Sequence, residues 1–193
     1  MLPRIFFLLA VASTAFAQNS DLGLMLGASI PVSNSVSAGT VSTSVEASAA
    51  IEYAFQLRDT HAGRLYLELP LLITGTASDV VAPGTVSSAV HAALFFTPGP
   101  RWQFSPASRV SFHGAGGAGL AIFNRTFSFV GNGRTLDHIG TTVSLGIDVG
   151  GGMDLRLTRL VSLRIEGRDA ITGSRFDGHV NHTLVLLGVG LHF

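Results

Sequence analysis

Eleven ionisable side chains recur at alternate positions of the chain, and their types define the chemistry to be tested first. Carboxylates and guanidinium groups in one row can form ion pairs, line a polar channel, or supply the acid and base of an enzyme. The row consists of Glu46, Glu52, Glu68, Arg101, His113, Asp148, Asp154, Arg156, Arg164, Glu166 and Arg168. The choice among these chemistries depends on the elements that hold the side chains.

A period of two places this charged row on β-strands. In the clearest stretch, 143–157, Leu145 and Ile147 alternate with Gly146 and Asp148, so a strand directs the two sets to opposite faces. Eight such segments are predicted, at 20–31, 43–58, 64–75, 88–104, 109–123, 140–157, 160–170 and 181–193. We therefore predict an all-β fold, an eight-stranded antiparallel up-and-down transmembrane β-barrel.

The connections between these segments alternate in length. Short ones are predicted near 59–63, 105–108 and 158–159, and long ones rich in Ser, Thr, Gly, Asn and Asp near 32–42, 76–87, 124–139 and 171–180. Short periplasmic turns and long extracellular loops are the plan of outer-membrane barrels.

The composition decides which face of the strands meets lipid. Only 12% of the residues are charged, against about 25% in ordinary soluble proteins. A soluble barrel would turn the polar row outward, and that row is too poor in charge for a solvent surface. The apolar face is expected to carry no charge, and an aromatic girdle is expected near the short turns. Its members would be Tyr53, Phe55, Trp102, Phe104, Phe112 and Phe193.

The N-terminus has the pattern of an export signal. Arg4 precedes a short apolar stretch at 5–11, and Ala15 and Ala17 form an A-x-A cleavage site. We predict a signal peptide at 1–17, export through the Sec pathway, and an outer-membrane β-barrel at 18–193. Apart from this segment, no apolar run approaches the roughly 18 residues that a transmembrane helix needs.

Two stretches carry a resemblance to known proteins. Gly188, Leu191 and Phe193 resemble the signal that the barrel-assembly machinery reads on a final strand. The run 150–157, together with the step 99–102, resembles small bacterial outer-membrane β-barrel-domain proteins of the OmpA/OmpX-type class. This resemblance implies a barrel in the bacterial outer membrane and interaction with the assembly machinery during biogenesis. Because that class shares a fold and no common activity, it implies a location more than a function.

An ion-pair network is the interpretation favoured for the charged row. Side chains fill the interior of an eight-stranded barrel, and buried charges must be paired. The predicted network comprises Glu46, Glu52, Glu68, Arg101, Asp148, Asp154, Arg156, Arg164, Glu166 and Arg168. Arg156 and Arg164 are expected at its centre, so replacing either with Met is expected to lower the unfolding temperature.

Other motifs favour structural interpretations. The run 114–119 matches the dinucleotide-binding fingerprint, but that fingerprint requires a helix after the strand. The inward histidines His91, His113, His182 and His192 are too dispersed for a metal site, so no metal and no cofactor are predicted. No His has a Ser two positions later, as lipid A deacylases of the PagL type require. Asp137-His138 and Asp177 with His179 lack the paired aspartates of omptin-type proteases.

The sequence thus predicts a non-enzymatic, structural or surface-loop interaction protein with a plugged lumen. The alternatives are a narrow outer-membrane channel for small solutes and an outer-membrane enzyme acting on lipid or peptide. The expected partners are outer-membrane lipid and an unidentified extracellular ligand of the loops. A monomer is expected, and the net charge of zero gives no argument for nucleic acid.

Overall fold

The computed structural model of the chain describes residues 19–33, 45–82, 85–131, 134–174 and 178–193. Nine strands lie within these ranges: β1 (Ser20–Ser33), β2 (Glu46–Thr60), β3 (Gly63–Ala82), β4 (Thr85–Phe96), β5 (Gly99–Phe104), β6 (Val110–Gly131), β7 (Arg134–Arg156), β8 (Val161–Ser174) and β9 (Gly178–His192). Within these ranges, no helix is long and apolar enough to cross a membrane. The predicted signal peptide and its cleavage residues Ala15 and Ala17 lie outside the described residues.

The sheet closes on itself as an antiparallel barrel of eight strand positions. β1 pairs with β2 on one side and with β9 on the other, where Asp21 faces His192 across the closing seam. β4 and β5 share one position between β3 and β6 and are separated only by Thr97 and Pro98. The predicted all-β, eight-stranded barrel is therefore confirmed, with its fourth strand interrupted at this step.

Each of the three predicted short connections is a tight turn. Gly63 has a φ of 147°, a conformation that a side chain disfavours, and its carbonyl accepts a hydrogen bond from the Thr60 hydroxyl at 2.8 Å. Thr158 closes the third turn, since its Oγ1 accepts from the amides of Leu160 and Val161 at 3.2 and 3.0 Å. The chain therefore reverses at this end of the barrel, called the short-turn end below, with few residues outside the sheet.

The opposite end differs from the sequence prediction. Most of the segments 76–87, 124–139 and 171–180, predicted as loops, continue as strands. β6 and β7 remain paired from Val110↔Leu155 as far as Gly131↔Arg134. These segments contain Val, Thr and Phe, which favour strands, and pairing between the two arms satisfies their backbone groups. Their Ser, Gly and Asn content was thus a misleading loop signal. The predicted loop 32–42 lies largely outside the described residues.

Candidate functional site in the barrel interior

The burial pattern orients the two faces of the barrel. Outward side chains such as Leu26, Leu145 and Val185 are 72%, 76% and 62% exposed, whereas Glu52 and Asp148 are almost completely buried. The interior is therefore polar and the exterior apolar, the reverse of a soluble barrel. Such an exterior fits a hydrocarbon environment.

One acidic residue departs from the expected charge-free outer face. Asp169 lies between the inward residues Arg168 and Ala170 of β8, and its Oδ1 accepts a hydrogen bond from Thr183 Oγ1 at 3.2 Å. It is only a few residues from Thr172, where the pairing of β8 with β7 ends. The expectation of an outer face without charge was therefore wrong at this position, which is near the end of the β7–β8 ladder.

Arg164 has carboxylate partners on three other strands. Its side chain is completely buried, Nη2 donates to Asp21 Oδ2 at 2.7 Å, and Nε donates to Asp154 Oδ1 at 2.7 Å. Nη1 reaches Glu52 Oε2 at 3.4 Å. Because its partners come from β1, β2 and β7, this single guanidinium connects strands that are far apart in sequence.

Arg168, two inward positions further along β8, binds a second group of carboxylates. Its Nη1 lies 2.5 Å from Asp148 Oδ2, and its Nη2 lies 3.0 Å from Glu52 Oε1. It also forms ion pairs with Glu68 and Glu166. The carboxylate oxygens of Glu52, Glu68 and Glu166 lie within 4.8 Å of one another, a spacing that a metal ion could use. The Arg168 guanidinium pairs with all three, so it supplies the positive charge at this point.

Arg101 and His113 complete the charged interior. Arg101 Nη2 lies 3.0 Å from Asp21 Oδ2 and 3.4 Å from Asp154 Oδ2, and its guanidinium lies 5.7 Å from the centre of the Tyr66 ring. His113 Nε2 is 3.1 Å from Glu166 Oε2. The buried residues linked in this way are called the central cluster: Asp21, Glu52, Glu68, Arg101, His113, Asp148, Asp154, Arg164, Glu166 and Arg168. The half-buried His192 borders the cluster, with its Nδ1 3.7 Å from Asp21 Oδ1.

The central cluster contains eight of the ten residues predicted for the network and excludes Glu46 and Arg156. Glu46 lies in a separate group, where its Oε2 accepts from Thr74 Oγ1 at 2.8 Å and lies 3.8 Å from His182 Nδ1. Arg156 is half-buried at the end of β7, and none of the described carboxylates lies within ion-pair distance of it. The expectation that Arg156 is central was therefore wrong, because β7 ends at Arg156, one inward position beyond Asp154, where the side chain has reached the half-buried short-turn end.

Two members of the central cluster, Asp21 and His113, are not among the ten residues predicted for the network. His113 belongs to the inward polar row but not to the predicted network, whereas it contacts two acids of the cluster. Asp21 is likewise absent from the predicted network, although it alternates with the outward Leu22 and Leu24. Extending the period-two pattern to the first residues of β1 would have identified it.

An apolar layer, which was not predicted from the sequence, also crosses the interior. Leu72, Phe95, Leu184 and Leu186 are completely buried and pack in one cluster. The Phe95 ring lies 5.3 Å from that of His182, which belongs to the Glu46 group. The described interior thus contains the central cluster, a buried apolar layer and the Glu46 group.

The remaining residues singled out from the sequence lie on the last strand, or their side chains are not among those that the structure describes. Phe193 is 57% exposed at the short-turn end, and its amide donates to the Ser20 carbonyl at 2.9 Å. A Cβ at Gly188 would lie 2.0 Å from the Leu24 carbonyl oxygen, so this strand approaches β1 closely. Leu191, on the same strand as Gly188, is half-buried. The side chains of Asp137, His138 and His91 fall outside the described set.

Comparisons with known proteins give the fold. No protein-family model and no curated protein matches the chain. Neisserial surface protein A is 15% identical with a TM-score of 0.57, covering 90% of this chain and 97% of that one. The attachment invasion locus protein Ail of Yersinia pestis is 12% identical with a TM-score of 0.54, covering 91% and 99%. The outer membrane protease OmpT of Escherichia coli is 6% identical with a TM-score of 0.59, covering 92% and 97%.

The fold is thus that of the bacterial outer-membrane β-barrels. Together with the outward apolar surface, it makes the chain an integral barrel of a bacterial outer membrane. Its neighbours include both a surface protein and a protease, so the fold does not select among their activities.

Proposed function

We propose that the chain is a non-conducting, non-enzymatic barrel that displays a β-sheet beyond the membrane for binding a partner protein. The length of the β6–β7 hairpin carries this proposal. β6 has 22 residues, whereas about 9–11 suffice to cross a membrane at a tilt. At about 3.4 Å per residue and a tilt of about 40°, β6 rises roughly 55 Å, against a hydrocarbon core of about 30 Å.

The projecting hairpin offers a sheet edge for recognition. β7 pairs with β8 only as far as Gly146↔Thr172, while its pairing with β6 continues to Arg134. In the described part of the chain, no strand therefore pairs with the β8-facing edge of β7 between Arg134 and Val143. Such an edge can accept an extended segment of another protein as an additional strand. Neighbours named for a surface location and for attachment have the same fold, which supports a role in display.

The filled interior supports the absence of conduction and of catalysis. Water and ions would have to pass both the paired charges of the central cluster and the buried side chains of Leu72, Phe95 and Leu186. The carboxylates and guanidinium groups of the central cluster are bound to one another, so a substrate has no access to them.

The purified protein is expected to give no discrete conductance steps in planar lipid bilayers, because paired charges and the apolar layer close its interior. A porin reconstituted in the same bilayers provides the positive control. Reproducible single-channel steps from the purified chain would instead favour the channel function.

Shortening the hairpin is expected to abolish partner binding and to leave folding unchanged. Removing 124–131 and 134–141 deletes eight paired positions, and with them most of this edge, and leaves Phe123 opposite Thr142, as in the native register. Peptides would be selected from a random library against the nanodisc-embedded protein. The selected peptides are expected to contain β-prone residues at alternate positions. They should bind the wild-type protein but not the shortened variant. Equal binding of the selected peptides to both proteins would exclude this edge, and heat-modified gel mobility would report folding.

A further inference from the structure

The arginines are unevenly distributed between the two faces and the ends of the barrel. Three of them belong to the central cluster, and five lie around the short-turn end: Arg58, Arg64, Arg109, Arg156 and Arg159. Among the described residues, Asp59 is the side-chain carboxylate at this end, and it pairs with Arg64 at 3.0 Å. The short-turn end thus has a marked excess of positive charge.

Three of these arginines are exposed, and all three follow the same pattern. Arg58 follows Leu57, Arg109 precedes Val110, and Arg159 precedes Leu160. Leu57 is 56% exposed and Leu160 is 62% exposed. Among the described residues, neither Arg58, Arg109 nor Arg159 has a carboxylate within ion-pair distance. These residues come from three different turns, so the pairing of a free guanidinium with an exposed apolar side chain recurs around the rim.

The aromatic residues give the depth of this rim in the membrane. Phe104 and Phe112 are 50% and 56% exposed beside the second turn, and Trp102 lies on the same outward face of β5. Aromatic side chains of this kind lie at the level of lipid headgroups. The arginines adjoin this band on its turn side, so their guanidinium groups are at the height of the headgroup phosphates.

We propose that the short-turn rim formed by Arg58, Arg109 and Arg159 binds anionic phospholipid headgroups of the adjoining leaflet. Guanidinium groups bind phosphate oxygens through paired hydrogen bonds, and the neighbouring Leu57, Val110 and Leu160 contact the upper acyl chains. Binding would enrich an anionic lipid over a zwitterionic one around this end of the barrel. The proposal concerns lipid selection and does not depend on the strand-addition function, because it uses the opposite end of the molecule.

Trp102, the single tryptophan of the chain, is a native probe for this proposal. It lies in one cross-strand row with Leu65 and Arg58, since Arg58 pairs with Leu65 and Leu65 pairs with Trp102. Two strand spacings separate Arg58 from Trp102, which is about 10 Å. Arg109 lies in the turn that leaves β5, the strand of Trp102. Quenching of Trp102 fluorescence therefore measures which lipids occupy the rim next to two of the three arginines.

The test uses phosphatidylcholine bilayers that contain equal mole fractions of brominated phosphatidylglycerol or brominated phosphatidylcholine. Brominated phosphatidylglycerol is expected to quench Trp102 more strongly, with a preference of at most about fivefold for each arginine. The preference should decrease when salt is raised, because exposed charges are screened. Equal quenching by the two lipids in the wild-type protein would overturn the proposal.

A pair of matched variants separates local binding from net charge. Arg58→Gln with Arg109→Gln is expected to bring the preference close to one. Arg125→Gln with Arg134→Gln removes the same charge from the opposite end and should leave the preference unchanged. A preference retained in the first variant, or lost equally in both, would contradict a lipid site at the short-turn rim. Heat-modified gel mobility confirms that each variant is folded before its fluorescence is compared.

Discussion

Arg168→Met is expected to lower the free energy of unfolding by about 3–5 kcal/mol, the cost of leaving buried charges without their partner. Arg168 pairs with Glu52, Glu68, Asp148 and Glu166, and all four are buried. Methionine has a similar length but offers these carboxylates neither a charge nor a hydrogen bond. Denaturant unfolding of the protein in lipid vesicles, followed by tryptophan fluorescence and gel mobility, measures the loss.

Two further variants make this prediction specific. Arg156→Met changes the same residue types at a half-buried position without a described ion pair, so a change below about 1 kcal/mol is expected. Adding Glu68→Gln to Arg168→Met removes one of the uncompensated charges and should restore part of the lost stability. Similar effects of Arg168→Met and Arg156→Met would show that the central cluster does not stabilise the barrel through its charges.

Gly117→Ala is expected to destabilise the barrel by about 1–3 kcal/mol or to prevent its folding, because the backbone must move to admit the methyl group. A Cβ at Gly117 would lie 2.0 Å from the Thr97 carbonyl oxygen and 2.9 Å from that of Pro98. These two residues form the interruption between β4 and β5, and the amide of Ala118 donates to the Pro98 carbonyl at 3.3 Å. The glycine thus permits the broken strand to approach β6.

Gly114→Ala is the control in the same glycine-rich run. A Cβ there would come no closer than 4.0 Å to the Gly150 carbonyl oxygen, so the methyl group fits. Alanine also favours an extended strand over glycine by about 0.5–1 kcal/mol, so this variant should be neutral or slightly more stable. Refolding yield and denaturant midpoints of the two variants provide the comparison. If both variants lose stability equally, close approach at the interrupted strand is not the reason for Gly117.

At the charged interior, the sequence pattern predicted which residues face inward but not which of them form ion pairs. Period-two alternation was sufficient to place Glu52, Asp148, Arg164 and Arg168 on one face, because a strand directs alternate side chains to opposite sides. It did not determine which charges meet. Arg164 and Asp21 are 143 residues apart in the chain, and only closure of the barrel brings their strands together.

The glycine-rich run 114–119 shows a similar limit. Its position in a strand argued against nucleotide binding, but no sequence pattern distinguishes Gly117 from Gly114. The distinction arises from Thr97 and Pro98 on the neighbouring strand position, where the ladder is interrupted. A contact between residues of different strands depends on register, which local composition does not specify.

The sequence by itself determined the all-β class, the positions of the short turns and the two faces of the strands, because these depend on alternation and on local turn residues. The tertiary structure decided that Asp21 and His113 join the central cluster and that Glu46 and Arg156 do not. It also decided that apolar side chains cross the interior and that the β6–β7 hairpin continues far past β8. These features depend on strand register and on the ends of paired ladders, and they arise only when distant segments close into one barrel.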